Sequence, residues 1–251
     1  MRRPIFFACW KANKTPKEVL EFYTEIQRRN LVLRDRAEVC LAPCHTYLEL
    51  SKVRLPKPLS LASQDVCDLN TPGRMGEVTA NILKEYGVKY CAIGHREKRE
   101  QGETDTIINS KVKRLMENGI TPMICIGDSD SENENGLTKD VLRKQLQGTL
   151  VGVPNIQDVL ICYRPSWTLG TGKVARGEYV NMIGEYVREI VSEIADNPLA
   201  KSCCFIYGGG ISGANVEDYM KQVEIDGVFF VGASLKPDDF CEVLKKGGVL
   251  Q

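Results

Sequence analysis

Eight short apolar runs, spaced along the chain and each followed by an amphipathic stretch, constrain the fold more than any other feature of this sequence. The runs are nearly continuous in apolar residues rather than alternating, which is typical of parallel strands covered on both faces. Together they predict an α/β architecture. They occupy residues 5–11, 38–44, 59–66, 90–95, 122–128, 159–165, 203–209 and 227–234.

The stretches between the runs have helical periodicity, as in 15–30 and 177–195. The first begins with Thr15 as an N-cap, Pro16 at the first helical position and Glu18 completing a capping box. Eight strands alternating with helices form either a closed barrel or an open doubly wound sheet. The length of 251 residues and the lack of a composition break favour a closed (β/α)8 barrel, with residues 1–251 as one domain.

The amino-acid composition argues against a nucleic-acid-binding or membrane-binding protein. Apolar residues make up 43% of the chain and charged residues 26%, and 33 basic residues balance 33 acidic ones. The chain therefore has no net positive charge that would favour binding to nucleic acid or to an anionic membrane. The apolar run at 5–10 is too short for a signal peptide or a membrane span, so we expect a cytoplasmic protein.

The ten cysteines predict buried thiols rather than disulfides. Cysteine in an apolar strand behaves as a small hydrophobe, and a reducing compartment keeps its thiol free. No C-x-x-C pair occurs, so we expect neither a metal site nor a metal cofactor. Cys44 ends the second run, and seven further cysteines lie in the apolar runs: Cys9, Cys40, Cys91, Cys125, Cys162, Cys203 and Cys204.

Unusual residues gather at the ends of the predicted strands, where barrel enzymes place their active sites. His95 comes at a strand-to-helix turn, and the helix N-terminus disfavours the imidazolium, so we expect a neutral ring. Glycine runs after the last two strands match a backbone cradle for phosphate. The residues at these strand ends are Lys11, Gln64, His95, Asp128, Arg164, the glycines of 207–213 and Gly232.

The motifs around these residues resemble the triosephosphate isomerase family from one end of the chain to the other. The resemblance implies a (β/α)8 barrel that interconverts glyceraldehyde 3-phosphate and dihydroxyacetone phosphate in glycolysis and gluconeogenesis without a cofactor. It also implies a cytoplasmic homodimer built through loop 68–77, which has Arg74 and Met75 at its tip. The matching motifs are "WK" (10–11), "GEVTANILKEYGVKYCAIGH" (76–95), "TPMICIGD" (121–128), "PSWTLGTGK" (165–173), "YGGGISGAN" (207–215) and "GASL" (232–235).

The resemblance also implies roles for individual residues. Lys11 matches the family's substrate-binding lysine, His95 its electrophile and Glu97 the acid that follows the histidine. Residues 165–175 match a mobile lid whose tip grips phosphate, here with Gly170, Thr171, Gly172 and Lys173.

Five departures from the family pattern fall in this same pocket. The catalytic glutamate of the sixth strand is Arg164, which cannot accept a proton near neutral pH. Arg96 replaces a serine, so the two arginines together raise the local formal charge by about three relative to the family pattern. The other three changes put Cys9 in place of an asparagine, Gly210 in place of a serine and Val231 in place of a glycine.

The leading hypothesis is a homologue that has lost all or nearly all isomerase activity, a pseudoenzyme whose barrel is retained to bind a small anionic or phosphorylated ligand or to regulate. The first alternative is an active isomerase of triose phosphate or a related sugar phosphate that uses a displaced base such as Glu97. A second is a different enzyme in which Cys9 is a nucleophile activated by Lys11 and the arginines. A third is a structural or partner-binding dimer with no small ligand.

Overall fold

The eight apolar runs form eight parallel strands that close into a barrel in sequence order, with β1 paired to both β2 and β8. The computed structural model describes residues 3–68, 75–168 and 173–251. The predicted closed (β/α)8 barrel is therefore confirmed, and the open sheet is excluded. The strands are β1 Ile5–Cys9, β2 Glu38–Ala42, β3 Ser60–Ser63, β4 Tyr90–Ile93, β5 Thr121–Ile126, β6 Leu160–Tyr163, β7 Cys204–Tyr207 and β8 Gly227–Phe230.

Helices follow the strands around the outside of the barrel. Within the described ranges they are α1 Pro16–Arg29, α2 Leu48–Arg54, α3 Ala80–Glu85, α4 Arg96–Glu100, α5 Asp105–Glu117, α6 Asp130–Glu134, α7 Thr138–Leu150, α8 Gly177–Ala195, α9 Val216–Met220 and α10 Pro237–Lys246. None of the helices in those ranges has the length and apolarity needed to cross a membrane.

The first helix forms as its sequence predicts and fixes the end of β1. Thr15 accepts a hydrogen bond from the backbone N–H of Glu18, whose side chain completes the capping box. The buried face of α1 brings Phe22 against Trp10, with the ring centroids 5.0 Å apart. Trp10 also donates from Nε1 to the carbonyl of Ser234 at 2.9 Å, so the residue before Lys11 is held between β1 and the loop after β8.

The core has two layers. One fills the barrel interior and includes Phe7, Phe229, Cys125 and Cys162, and the other packs the outer strand faces against the helices. All ten cysteines are free thiols, as predicted. Of the seven that lie in the apolar runs besides Cys44, six are buried and Cys204 is half-buried.

Candidate active site

A cavity of about 530 Å³ lies at the carboxyl ends of the strands and brings together most of the residues singled out in the sequence. Its position agrees with the general location of active sites in this fold. The predicted residues that line it are Lys11, His95, Arg96, Glu97, Arg164, Gly210, Val231 and Gly232. Glu100, Thr168, Gly209 and Ile211 line it as well.

His95 has the protonation state that its position predicts. It caps α4, and its Nδ1 accepts a hydrogen bond from the backbone N–H of Glu97 at 3.2 Å. Burial and the nearby guanidinium of Arg164 lower the pKa of His95 to about 3, so the ring is neutral at physiological pH. With Nδ1 accepting, the proton resides on Nε2, which is buried and has no hydrogen-bond partner.

Lys11 and Glu97 form an ion pair at the edge of the cavity. Their Nζ and Oε1 atoms are 2.5 Å apart, and Glu97 is half-exposed. Partial burial opposes ionisation of Glu97, but the hydrogen bond from Lys11 and the charges around it lower the pKa of the carboxyl below its ordinary value. Glu97 is therefore an ionised partner of Lys11 and a weak proton acceptor.

Arg164 follows β6 directly and turns into the barrel mouth. Its backbone N–H donates to the carbonyl of Ile126 at 2.7 Å. Gly208 makes room for its stem, since a Cβ there would lie 2.8 Å from Cγ of Arg164. The guanidinium carbon sits 4.0 Å from the ring centroid of Phe229, a cation–π contact on the barrel's inner layer.

The surroundings of Arg164 are unusual for a charged side chain. It is only 6% exposed, and its Nε and Nη1 atoms have no hydrogen-bond partner. Among the residues that the structure describes, no carboxylate lies within ion-pair distance of it. Buried charges in proteins are ordinarily paired, so this guanidinium is unusual in having no carboxylate partner among the described residues.

Arg96 lies at the same cavity but is not an equivalent cation. It is half-exposed, and its Nε lies 2.6 Å from Oε1 of Glu100 one turn further along α4. The sequence-based charge count assigned the excess positive charge to both arginines. In the structure Glu100 compensates Arg96, so the excess belongs to Arg164.

The glycine-rich wall of the cavity comes from the loops after β7 and β8. Among the residues that the structure describes, a Cβ at Gly210 would meet only Val174 Cγ1, at 3.8 Å, and one at Gly232 would meet nothing within 4 Å. The backbone at both positions is thus open to the cavity. Val231 is half-buried against the inner core and presents a side chain to the cavity.

Cys9 is not part of this cavity. It lines a neighbouring cavity of about 700 Å³, together with Lys11, His95 and Met75. Burial raises the pKa of its thiol to about 11, and the opposing effects of Arg164 and Lys11 are smaller. A raised pKa does not favour the Cys9 nucleophile hypothesis, because the reactive form of cysteine is the thiolate.

The predicted lid, residues 165–175, falls within the described residues at its two ends. Ser166 donates to the carbonyl of Asp128 from its backbone N–H at 2.8 Å and from its hydroxyl at 2.9 Å. At the other end, Lys173 Nζ lies 3.2 Å from Oδ1 of Asp130. The predicted grip residues Gly170, Thr171 and Gly172 lie outside the described residues, as does Arg74 of the predicted dimer loop.

The remaining strand-end residues are structural. Gln64 donates to the carbonyls of Lys11 and Ala42 at 2.9 and 3.0 Å. Asp128 is buried and accepts from the Tyr163 hydroxyl at 2.9 Å and from Thr138 at 2.7 Å. Both side chains hold neighbouring segments in place beneath the cavity, and neither of them lines it.

Sequence reasoning missed three contributions to the site. The pairing of Arg96 with Glu100 has a usable signal, because opposite charges four residues apart meet on a helix. Thr168 lies inside the motif "PSWTLGTGK", whereas Gly209 is one of the glycines of 207–213 that the sequence already indicated. Nothing in the neighbouring sequence indicates that Phe229 contacts Arg164, since any apolar residue in β8 is expected in the core.

Comparison with known proteins places the chain in a family. A sequence profile described as triosephosphate isomerase matches residues 4–247. Three relatives named triosephosphate isomerase, from Alkaliphilus oremlandii, Alkaliphilus metalliredigens and Mycoplasmopsis pulmonis, are each 34% identical to it. In each case the alignment spans 97% of this chain and 98–99% of the relative. The chain belongs to the triosephosphate isomerase family.

Proposed function

We propose that this family member has lost all or nearly all of the isomerisation of glyceraldehyde 3-phosphate and dihydroxyacetone phosphate and keeps its cavity to bind a small anion. The observation that carries the proposal is Arg164, a buried cation without a carboxylate partner at the end of β6. The cavity still has an opening, a neutral histidine and an open glycine wall, which favours retention of a ligand over decay of the site.

The chemistry of isomerisation requires a base that removes a carbon-bound proton and returns it to the neighbouring carbon. A guanidinium keeps its proton at any physiological pH, because its pKa exceeds about 12. Loss of a positioned base typically lowers the rate by about 10²–10⁴-fold. A guanidinium also offers no lone pair that could accept a proton in place of the lost base.

The alternative is an isomerase with Glu97 as a displaced base. Glu97 lines the cavity beside His95, which supports the idea. Its bond to Lys11 and its lowered pKa both oppose it, since a carboxylate that holds its charge so readily is a poor proton acceptor.

A coupled assay of glyceraldehyde 3-phosphate isomerisation tests the proposal, with the relative from Alkaliphilus oremlandii as the reference enzyme. We expect kcat/KM at least about 10³-fold below the reference, within the range attributed to loss of a general base. Arg164→Glu alone should restore little, because Cys9, Arg96, Gly210 and Val231 still differ from the family pattern.

The opposite result would be turnover by the unmodified protein at an ordinary enzyme rate, about 10 s⁻¹ or above. That result would end the noncatalytic proposal. Glu97→Gln would then test the displaced base, and loss of turnover in that variant would assign the base to Glu97.

A further inference from the structure

The charges that line the cavity do not balance. Lys11 is paired with Glu97, and Arg96 is paired with Glu100. Among the described residues that line the cavity, Arg164 is the one charged side chain without an opposite charge in contact. The site as it stands therefore lacks one negative charge at the end of β6.

Hydrogen-bond donors are left over at the same place. Nε and Nη1 of Arg164 and Nε2 of His95 are buried, and none of them has a hydrogen-bond partner among the described residues. Buried polar atoms in native structures nearly always have a partner, either in the protein or in something bound to it. Arg164 is also more than nine-tenths buried, so these donors belong to a formed site and not to a solvated surface.

The shape of the donor group restricts the anion. A guanidinium is planar and rigid, and its N–H groups match the two coplanar oxygens of a carboxylate. The contact with Phe229, 4.0 Å from the guanidinium carbon, supports Arg164 from below and restricts its movement. The missing charge is a single one, which a carboxylate supplies, whereas a phosphate dianion would leave an excess.

We infer that the cavity takes a small ligand through a carboxylate group, which accepts hydrogen bonds from Arg164 and from Nε2–H of His95. This inference rests on the proposed function, since it assumes that the cavity retains an anionic ligand. The wall formed by Gly209, Gly210 and Gly232 carries no charged side chain and takes the remainder of the ligand, with or without a phosphate.

Isothermal titration calorimetry with matched ligands tests this assignment. The first pair is 3-phosphoglycerate and glycerol 3-phosphate, which share a phosphorylated three-carbon skeleton and differ by a carboxylate in place of a hydroxymethyl group. Glycerate and glycerol form the same pair without phosphate, and inorganic phosphate is titrated alone. We expect the carboxylate member of at least one pair to bind about 10–100-fold more tightly than its partner, as charge-assisted hydrogen bonds provide.

Two variants connect that preference to Arg164. Arg164→Gln should abolish the preference, and Arg164→Lys should keep only part of it, because lysine retains the charge without the planar fork. Arg143→Gln is the matched control, because it removes an arginine paired with Glu193 on an outer helix. It should leave the preference unchanged. Far-ultraviolet circular dichroism establishes that each variant is folded.

The assignment is overturned if the carboxylate and hydroxymethyl ligands bind equally, if phosphate alone binds as tightly as the carboxylates, or if no ligand binds at millimolar concentration. It is also overturned if the preference survives in folded Arg164→Gln. None of these results restores a base to the site, so each leaves the proposed loss of isomerase activity standing. An active isomerase in the coupled assay would reject the proposed function whatever the titrations give.

Discussion

At the scale of single residues, the charge of Arg164 helps to keep the imidazole of His95 unprotonated. The low pKa of His95 has burial as its main cause and the Arg164 charge as the next. Under the proposed function, the same arginine both stands in place of the base and helps to hold the neighbouring ring in the neutral state that an electrophile needs.

This coupling predicts the titration of His95. Because burial and Arg164 lower its pKa from the ordinary 6.5 to about 3, the folded protein does not take up that proton as the pH falls from 8 to 5. We expect His95 to become protonated only in strongly acidic solution. In Arg164→Gln the pKa rises towards its ordinary value. The measurement is the imidazole chemical shift by NMR.

His45 is the internal reference for this titration, because the chain has only two histidines. Burial is the main cause that lowers the pKa of His45, and Arg164 is not among the contributing charges. Its titration should be the same in both proteins. A His95 that titrates near 6.5 in the unmodified protein, or that does not respond to Arg164→Gln, would contradict the account of the site.

At the scale of elements, strands and long helices follow from local sequence, whereas the site follows from contacts between elements. The capping box at Thr15 and the periodicity of 177–195 predicted α1 and α8, because helix caps and amphipathic faces are written in neighbouring residues. The strands are shorter than the apolar runs, because residues at the ends of several runs, such as Lys11, His95 and Arg164, line the cavity instead of pairing in the sheet.

The sequence indicated most of the residues that line the candidate site, but not how their charges are paired. Motifs named Lys11, His95 and Arg164 because they stand at strand ends. That Glu100 neutralises Arg96, and that Phe229 underlies Arg164, depends on how α4 and β8 pack beside β6. The burial that raises the pKa of Cys9 depends on the same packing and is not given by the local sequence.

A buried ion pair links α8 to the strands and should be essential for stability. Arg188 and Asp226 are 4% and 7% exposed, and Nη2 and Oδ2 lie 2.6 Å apart. Oδ2 of Asp226 also accepts from the backbone N–H of Phe205 at 2.8 Å. Asp226→Ala removes one of the two carboxylates that pair with Arg188, which keeps Glu224 at 2.7 Å, and it leaves the Phe205 N–H without its acceptor. We therefore expect the free energy of unfolding to fall by about 1–3 kcal/mol, the usual cost of an unsatisfied buried polar group.

Urea denaturation followed by circular dichroism measures this loss. Glu193→Ala provides the control, since it removes an ion pair with Arg143 in which Glu193 is 57% exposed. An exposed pair is screened by water and contributes little, so its midpoint should hardly move. Equal midpoint shifts in the two variants would show that burial of the Arg188 pair is not what makes it stabilising.

At the scale of the whole molecule, we propose the homodimer that the family resemblance implies. Met75 of loop 68–77 is fully exposed, and Gly76 beside it has a φ of +81°, which suits the tight turn expected there. Met75 and Gly76 also line the neighbouring cavity with Lys11 and His95, so an interface at this loop would adjoin the site.

Sedimentation velocity at micromolar concentration tests the dimer. We expect the mass of two chains for the unmodified protein and a shift towards one chain for Met75→Glu, because an unpaired charge in an interface core opposes association. Glu85→Gln, on the exposed end of α3, serves as the control and should remain dimeric. A single-chain mass for the unmodified protein would end the dimer proposal.

The central claim, that no group in this barrel removes the carbon-bound proton, is tested most directly by hydrogen exchange in the substrate. Dihydroxyacetone phosphate is incubated with the protein in D₂O, and NMR measures deuterium incorporation at the carbon that isomerisation would deprotonate. The account predicts incorporation at least about 10³-fold slower than with the Alkaliphilus oremlandii relative, as expected when the base is absent. Incorporation at a rate comparable to that relative would contradict the account, because it would require a working base in spite of Arg164.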